Sequence, residues 1–301
     1  MGFVVEGHGP STCTSYVELT LKPRKLTGQC RGPFSIGQYS DDTQLARELV
    51  LSFLGCGGFD PADYAERIAM LFTSGRVVGR GMATQEAAYR IAAGIPWDKS
   101  GTPAPAAGNG SAMRAAPVGL LFSHDHGVMV RVAHDQGRIT HGDPRCSAGA
   151  IAIAGATAIA LHETEIDGPS LCARLSAWVY PFDAVLAAAL ANLPSWISKP
   201  PEIAVDLIRQ VGVQPDYINN WEGISPFVTG SVLWSLYSFL RSPDDYWGAI
   251  STAIAVGGDV DTTAAMTGAI AGTRVGLTQF QLRQLCCSRT KAAGCTTISC
   301  F

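Results

Sequence analysis

Two short acidic stretches stand out for what their side chains could do together. Ser40-Asp41-Asp42-Thr43 lies near the start of the chain, and Asp259-Val260-Asp261-Thr262 follows Gly257-Gly258 near its end. Neighbouring side chains in a helix interior point apart, so adjacent carboxylates share a target only where the backbone turns around it. A helix start supplies that turn. Taken alone, Ser-Asp-Asp-Thr reads first as a helix cap whose carboxylates complement the dipole. The second stretch alters the balance: Gly257-Gly258 permits an unusual backbone path, and the small residues from Ala264 to Gly272 allow close helix packing, which draws the aspartates toward the middle of the protein. If the turns converge, four carboxylates and two hydroxyls form an oxygen-only cage. Bare carboxylates at that spacing repel one another, whereas a hard divalent cation offsets the repulsion and prefers oxygen. Mg²⁺ or Mn²⁺ suits such a cage, with Ca²⁺ still open; zinc does not, because neither turn has a nearby Cys or His. Two pairs of acids fit two ions, a binuclear centre able to orient a substrate oxygen and lower the pKa of a bound water. Asp259, beside the glycine pair, is the ligand best placed to orient or deprotonate that water.

Helices must carry these turns. After Ser40 the apolar or small residues Leu45, Ala46, Leu49, Val50, Phe53 and Leu54 recur with helical spacing until Gly55-Cys56-Gly57-Gly58, and Asp60 caps a second helix running to Thr73. Further helices are expected over Thr84–Ala93, Ala112–Phe122, Ala148–His162, Leu171–Leu190, Ile203–Gln210, Val228–Leu240, Asp244–Val256 and Thr263–Gly276. Gly108-Asn109-Gly110-Ser111 and His141-Gly142-Asp143-Pro144 each deliver the start of an alanine-rich helix. Residues 1–39 carry many turn formers and few convincing helices. Strand-like alternation is scarce, so the expected fold class is all-α, a compact single domain. Pro194–Pro201 and Pro215–Pro226 could divide domains or serve as long loops.

With 47% hydrophobic and 16% charged residues, the 301-residue chain is too apolar to be disordered. A formal charge of −3 and no Lys/Arg run argue against general nucleic-acid binding. No run of about 18 apolar residues suggests a membrane span, and the start lacks a basic or apolar leader, so a cytoplasmic location is expected. Among nine cysteines, Cys56, Cys146 and Cys172 read as buried thiols. Cys286, Cys287, Cys295 and Cys300 lack the paired spacing of zinc knuckles and read as an irregular tail or docking segment. His124, His126 and His134 suggest a surface loop.

Four phrases in order, GQYSDDTQ at Gly37–Gln44, the GNGSAMRAAPVGL stretch from Gly108 to Leu120, THGDPRCSAG at Thr140–Gly149 and AVGGDVDTTAAMTGAIAG at Ala255–Gly272, resemble the ADP-ribosylglycohydrolase family. The resemblance runs from about Gly2 to Gly276, which sets a domain of 1–276 and a Cys-rich segment of 277–301. It implies the all-α fold of that family and metal-dependent hydrolysis of the glycosidic bond at ribose C1″ of an ADP-ribosylated protein or small ADP-ribose adduct, releasing ADP-ribose. Carried over, the ligands of two Mg²⁺ or Mn²⁺ ions are Ser40, Asp41, Asp42, Asp259, Asp261 and Thr262, with Ser40 standing where threonine is usual. Glu6 matches a mobile acidic position that closes over the metals, and joins Asp259 as a catalytic candidate. Only the end of the family's GDAxGxxxE helix is matched, by Met1–Glu6, so its usual first helix is expected to be missing. Gly110 and Ser111 resemble diphosphate donors. His141 resembles a substrate-side histidine, or is a loop histidine satisfied by Asp143. Tyr217, Asn219, Asn220, Trp221 and Phe227 could stack on adenine and bond its edge, or anchor a loop. Gly75–Gly81 lacks the acid common in arginine-directed members, which leaves arginine, serine or a small leaving group open as acceptor. A non-catalytic ADP-ribose-binding protein and a hydrolase of another ribosyl or nucleoside diphosphate adduct are the alternatives.

Overall fold

Apolar residues three and four apart form helices throughout the described residues, which in this computed structural model are 1–25, 32, 34, 37–213, 217, 221–277 and 279. A 3-10 turn, Gly2–Val5, leads to α1 (Pro10–Tyr16), which continues as a π-helical stretch, Val17–Leu21. Then come α2 (Asp41–Cys56), α3 (Pro61–Thr73), α4 (Met82–Ala92), α5 (Ala116–Leu121), α6 (His126–Arg138), α7 (Pro144–His162), α8 (Gly168–Val179), α9 (Ala184–Ile197), α10 (Pro201–Ile208), α11 (Val228–Arg241), α12 (Tyr246–Ala255) and α13 (Val260–Val275). Extended pairing among the described residues is limited to isolated bridges, among them Thr102–His141, Gly108–Phe227 and Ile224–Gly258. The expected all-α, compact single-domain architecture is therefore the observed one.

Aspartates start many of these helices by accepting first-turn amides: Asp60 for α3, Asp125 for α6, Asp143 for α7, Asp183 for α9 and Asp245 for α12. At the centre lies α7. Its sequence is small or apolar on every face, so it has no side to give to water, and it is enclosed by α5, α6, α8, α11 and α13. By length and hydropathy α7 could cross a membrane, but its most apolar window is 83% buried in protein, as a core helix is. Against it, α11 and α13 bring the second acidic turn into the interior.

Several expectations need correction. Residues 10–21 are helical: the Ser/Thr-rich face of α1 hid Cys13, Tyr16, Val17 and Leu21, which are buried. The single helix expected over Leu171–Leu190 is two, because Pro181 lacks an amide and Asp183 caps a new start. Pro194 lies inside α9 and Pro201 opens α10, so no domain boundary falls there. His126 and His134 belong to α6 and not to a loop, with His134 Nδ1 2.8 Å from Ser147 Oγ. Cys56 is exposed at the end of α2, while Cys13, Cys146 and Cys172 are buried free thiols. Cys286, Cys287, Cys295, Cys300, Asn219 and Asn220 lie outside the described residues.

Candidate active site

Both acidic turns are helix starts held by backbone. Ser40 is the extended residue before α2, and its Oγ donates to Asp42 Oδ2 at 2.7 Å instead of capping an amide. Asp42 Oδ1 is buried without a hydrogen-bond partner among the described residues. The amide of Asp41 donates to the Val78 carbonyl at 2.7 Å, while the Gln44 side chain donates to the Arg76 carbonyl and accepts from the Val78 amide. The 76–78 segment, where an acid was sought, thus serves as a backbone bracket for the first turn.

The second turn enters α13 through Asp259, whose amide donates to the Ile224 carbonyl at 2.8 Å. Gly258 has φ of +93°, and a Cβ on it would sit 2.1 Å from the Ile224 oxygen, so only glycine permits this approach. The same residue accepts from the Gly7 amide at 2.9 Å and donates to the His8 carbonyl at 3.0 Å. Glu6 is thereby pinned beside the second turn. Its carboxylate oxygens and those of Asp259 and Asp261 include a set lying within 4.8 Å of one another. Next to Glu6, Gly7 and His8 pair with Gly258 through their backbones.

Burial crowds these charges. Burial, then the neighbouring Asp42 and Asp261, holds Asp41 well above the usual carboxylate range; burial, then Asp261, does the same to Asp259. Asp261 is pushed up to about 6 by burial and Asp42. Burial also raises Asp42, against the bond from Ser40. Such a set is costly as a group of bare anions and well suited to a cation. The partnerless Asp42 oxygen and the converging carboxylates fit a hard divalent ion such as Mg²⁺ or Mn²⁺, and Glu6, Asp259 and Asp261 form one three-carboxylate candidate site.

A cleft of about 600 Å³ opens on this centre, reaching Glu6, Asp41, Asp259, Asp261 and Thr262 on one side and Gly108, Gly110, His141, Tyr217 and Trp221 on the other. A second cavity, about 430 Å³, meets Ser40, Asp42 and Asp261 from another side. The structure therefore gathers Glu6, Asp41, Asp259, Asp261, Thr262, Gly110, His141 and Tyr217 around the first space, while Ser40 and Asp42 face the second and Asp261 reaches both. Tyr217 packs on Phe227 with ring centroids 5.3 Å apart. Ser111 lies behind the cleft: its hydroxyl is fully buried and donates to the Cys146 carbonyl at 2.8 Å, so the expected hydroxyl donor is engaged within the fold. His141 pairs with Thr140, whereas Asp143 binds Arg145 at 2.6 Å.

Sequence reasoning assigned no role to Asn109. Its Nδ2 donates to Asp259 Oδ2 at 2.6 Å and to Ser231 Oγ at 2.9 Å, which fixes the orientation of the aspartate. The signal was an amide side chain between two glycines, a place where a loop residue can face inward.

Comparison with known proteins agrees with this geometry. The family model described as ADP-ribosylglycohydrolase matches residues 1–290, extending past Gly276. ADP-ribosylhydrolase ARH3 of Homo sapiens is 29% identical over 265 residues, covering 80% of this chain and 72% of its own. ADP-ribosylarginine hydrolase Tri1 of Pseudomonas putida is 31% identical over a shorter stretch of 119 residues, 36% of this chain and 32% of its own. A solved ADP-ribosylglycohydrolase-related protein complex shares the fold with a TM-score of 0.62 and 25% identity, over 93% of this chain and 91% of that one.

Proposed function

Because this chain belongs to the ADP-ribosylglycohydrolase family, we propose that it hydrolyses the glycosidic bond at ribose C1″ of an ADP-ribosylated protein or small ADP-ribose adduct and releases ADP-ribose. The observation that carries this reading is the placement of the converging carboxylates on a cleft that is also lined by Gly108, Gly110, His141, Tyr217 and Trp221. Ser40, Asp41, Asp42, Asp259, Asp261 and Thr262 would hold two ions, Mg²⁺ or Mn²⁺. Bound there, the metals supply Lewis-acid polarisation and a water of lowered pKa.

The chain's own groups do the rest. Asn109 fixes one oxygen of Asp259, so the carboxylate is aimed before substrate arrives and can accept a proton from the attacking water. Glu6, set against the same turn, is the second carboxylate able to hold a proton near the reacting carbon. Gly110 and His141 form the neutral wall toward the diphosphate and its adjoining ribose, and Tyr217 with Trp221 offers aromatic surface toward adenine. The absence of an acid in Gly75–Gly81 favours an acceptor other than arginine.

The test is release of free ADP-ribose from arginine-, serine- and O-acetyl-linked substrates with Mg²⁺ or Mn²⁺, after EDTA, and after metal is restored. Activity that disappears with EDTA and returns with the ion supports the reading. Full activity in exhaustively metal-stripped protein would remove the mechanism, and metal-dependent ADP-ribose binding without turnover on any linkage would replace the enzyme by a binding protein.

A further inference from the structure

Behind the neutral wall of the cleft lies a guanidinium with no access to solvent. Arg114 is fully buried, with its Cζ 5.8 Å from the centre of the Tyr64 ring. Its Nε donates to Gln136 Oε1 at 2.9 Å, and one terminal nitrogen donates to the Gln136 carbonyl at 2.9 Å and to Thr140 Oγ1 at 2.8 Å. Gln136 in turn donates to the Ser111 carbonyl at 2.9 Å, so the network grips the back of the Gly108–Ser111 loop. Nothing in the proposed reaction uses this buried cation directly.

Its consequence follows from donor arithmetic. A guanidinium only donates, so Thr140 Oγ1 accepts from Arg114 and has a single proton left to give. That proton has two candidate acceptors: His141 Nδ1 at 2.8 Å and the Gly137 carbonyl at 3.5 Å. The shorter contact is the better-formed bond for it; the competing arrangement gives the proton to Gly137 while Oγ1 accepts from an Nδ1–H, and the two differ in the tautomer of His141. With Nδ1 accepting, the ring proton of neutral His141 resides on Nε2, the nitrogen beside Gly108 and Gly110. A Cβ on Gly110 would lie 2.8 Å from His141 Cε1, so the glycine is what lets the ring reach the cleft wall. The backbone keeps this pose: Thr102 donates to the Thr140 carbonyl at 3.0 Å and accepts from the Gly142 amide at 2.7 Å.

We infer that Arg114 and Thr140 are positioning residues that lock His141 as a neutral ring protonated on Nε2, a fixed hydrogen-bond donor for an acceptor oxygen of the ligand in the cleft. The charged groups facing the ring are Arg114 from one side and Asp143 from the other, and Asp143 is already paired with Arg145. Burial and the Arg114 charge hold the ring's pKa down at about 3, so it stays uncharged near neutrality. Such a donor distinguishes an oxygen-rich ligand, a diphosphate or ribose, from one with no acceptor at that point. The inference rests on the proposed function only for the identity of that oxygen.

Long-range ¹⁵N–¹H correlation spectra of the histidine-labelled full chain, with the His141 signal among the six histidines assigned by its loss in His141→Gln, read the tautomer directly. At pH 7 the expected pattern is an unprotonated Nδ1 and a protonated Nε2. Thr140→Val, which keeps the shape and removes the hydroxyl, is expected to shift the ring toward the Nδ1-protonated form, and Thr140→Ser to restore the original pattern. ADP-ribose affinity by calorimetry should fall about 10-fold in Thr140→Val and recover in Thr140→Ser. A wild-type His141 that is charged or protonated on Nδ1 overturns the inference, as does a Thr140→Val spectrum with the tautomer unchanged. Should Thr140→Val fail to fold, the wild-type spectrum alone decides. A tautomer shift with no change in affinity upholds the relay and removes the substrate contact assigned to His141.

Discussion

The two ends of the cleft solve opposite problems. At the acidic end, Asp41, Asp42, Asp259 and Asp261 are crowded at two helix starts, their pKa values are pushed up, and one oxygen of Asp42 has no partner among the described residues. At the neutral end, Ser111, Gln136, Arg114, Thr140 and His141 hand hydrogen bonds from one to the next. The first region concentrates carboxylates that a cation would compensate, whereas the second spends most of its donors and acceptors within its own network, with one terminal nitrogen of Arg114 left buried without a partner among the described residues. Function should therefore respond to substitutions at the acidic end through metal content, and at the neutral end through ligand affinity or stability. Asn109 joins the two, since it sits in the Gly108–Ser111 loop and bonds Asp259.

The largest effect expected is that of Asp259→Asn. Removing this charge should lower turnover by roughly 10³-fold and reduce bound metal, measured by single-turnover kinetics and elemental analysis. Normal metal content with a normal rate would erase the distinction between the two ends. Next comes the pH dependence of the metal-free protein. The folded pKa of Asp261 is raised from 3.8 to about 6, so between those values the folded chain holds a proton that the unfolded chain has released. Stability then falls as pH climbs through that window and rises on acidification from pH 7 to pH 5, by roughly 1 kcal/mol from this group. Chemical denaturation with EDTA should show this slope, and saturating Mg²⁺ should abolish it. An apo protein that loses stability on mild acidification would contradict the crowded-anion picture.

Smaller effects sharpen the comparison. Asn109→Ala should slow turnover by about 10- to 100-fold with little change in metal content, because it orients a ligand without being one. Loss of the metal itself in that variant would move Asn109 into the acidic end. Ser111→Ala should cost about 1 kcal/mol of stability, through the bond to Cys146, and leave metal content unchanged. Thermal unfolding and metal analysis on the same preparation would test it; a drop in bound metal with no loss of stability would show that the neutral end is not the self-contained network described.

Much of this arrangement was legible in the residues. Two acidic turns preceding helical patterns located the site, because carboxylates can converge only at such starts, and helical periodicity identified most elements. Sequence gave less warning where partners are distant. Arg114 read as one more residue of a motif, since nothing local indicates that Gln136 and Thr140 will enclose it. The Ser111 hydroxyl pointed to a ligand until the fold supplied the Cys146 carbonyl. Nothing local to Glu6 indicated that it lies beside Asp259 and Asp261, since its neighbours Gly7 and His8 pair with Gly258, distant in sequence. The helix over residues 10–16 was hidden by Ser and Thr, which are weak helix formers unless tertiary packing decides.

The all-round burial of α7 also governs the order in which the protein can be made. Synthesis delivers α7 long before α11 and α13, two of the helices that cover it. Until they emerge from the ribosome, a helix apolar enough to pass for a membrane span has too few neighbours to hide its surface. Chains halted between α10 and α11 should therefore occupy chaperones or aggregate, while completed chains fold. The same interval separates the two acidic turns, so the candidate cation site comes into being only when α13 joins the core.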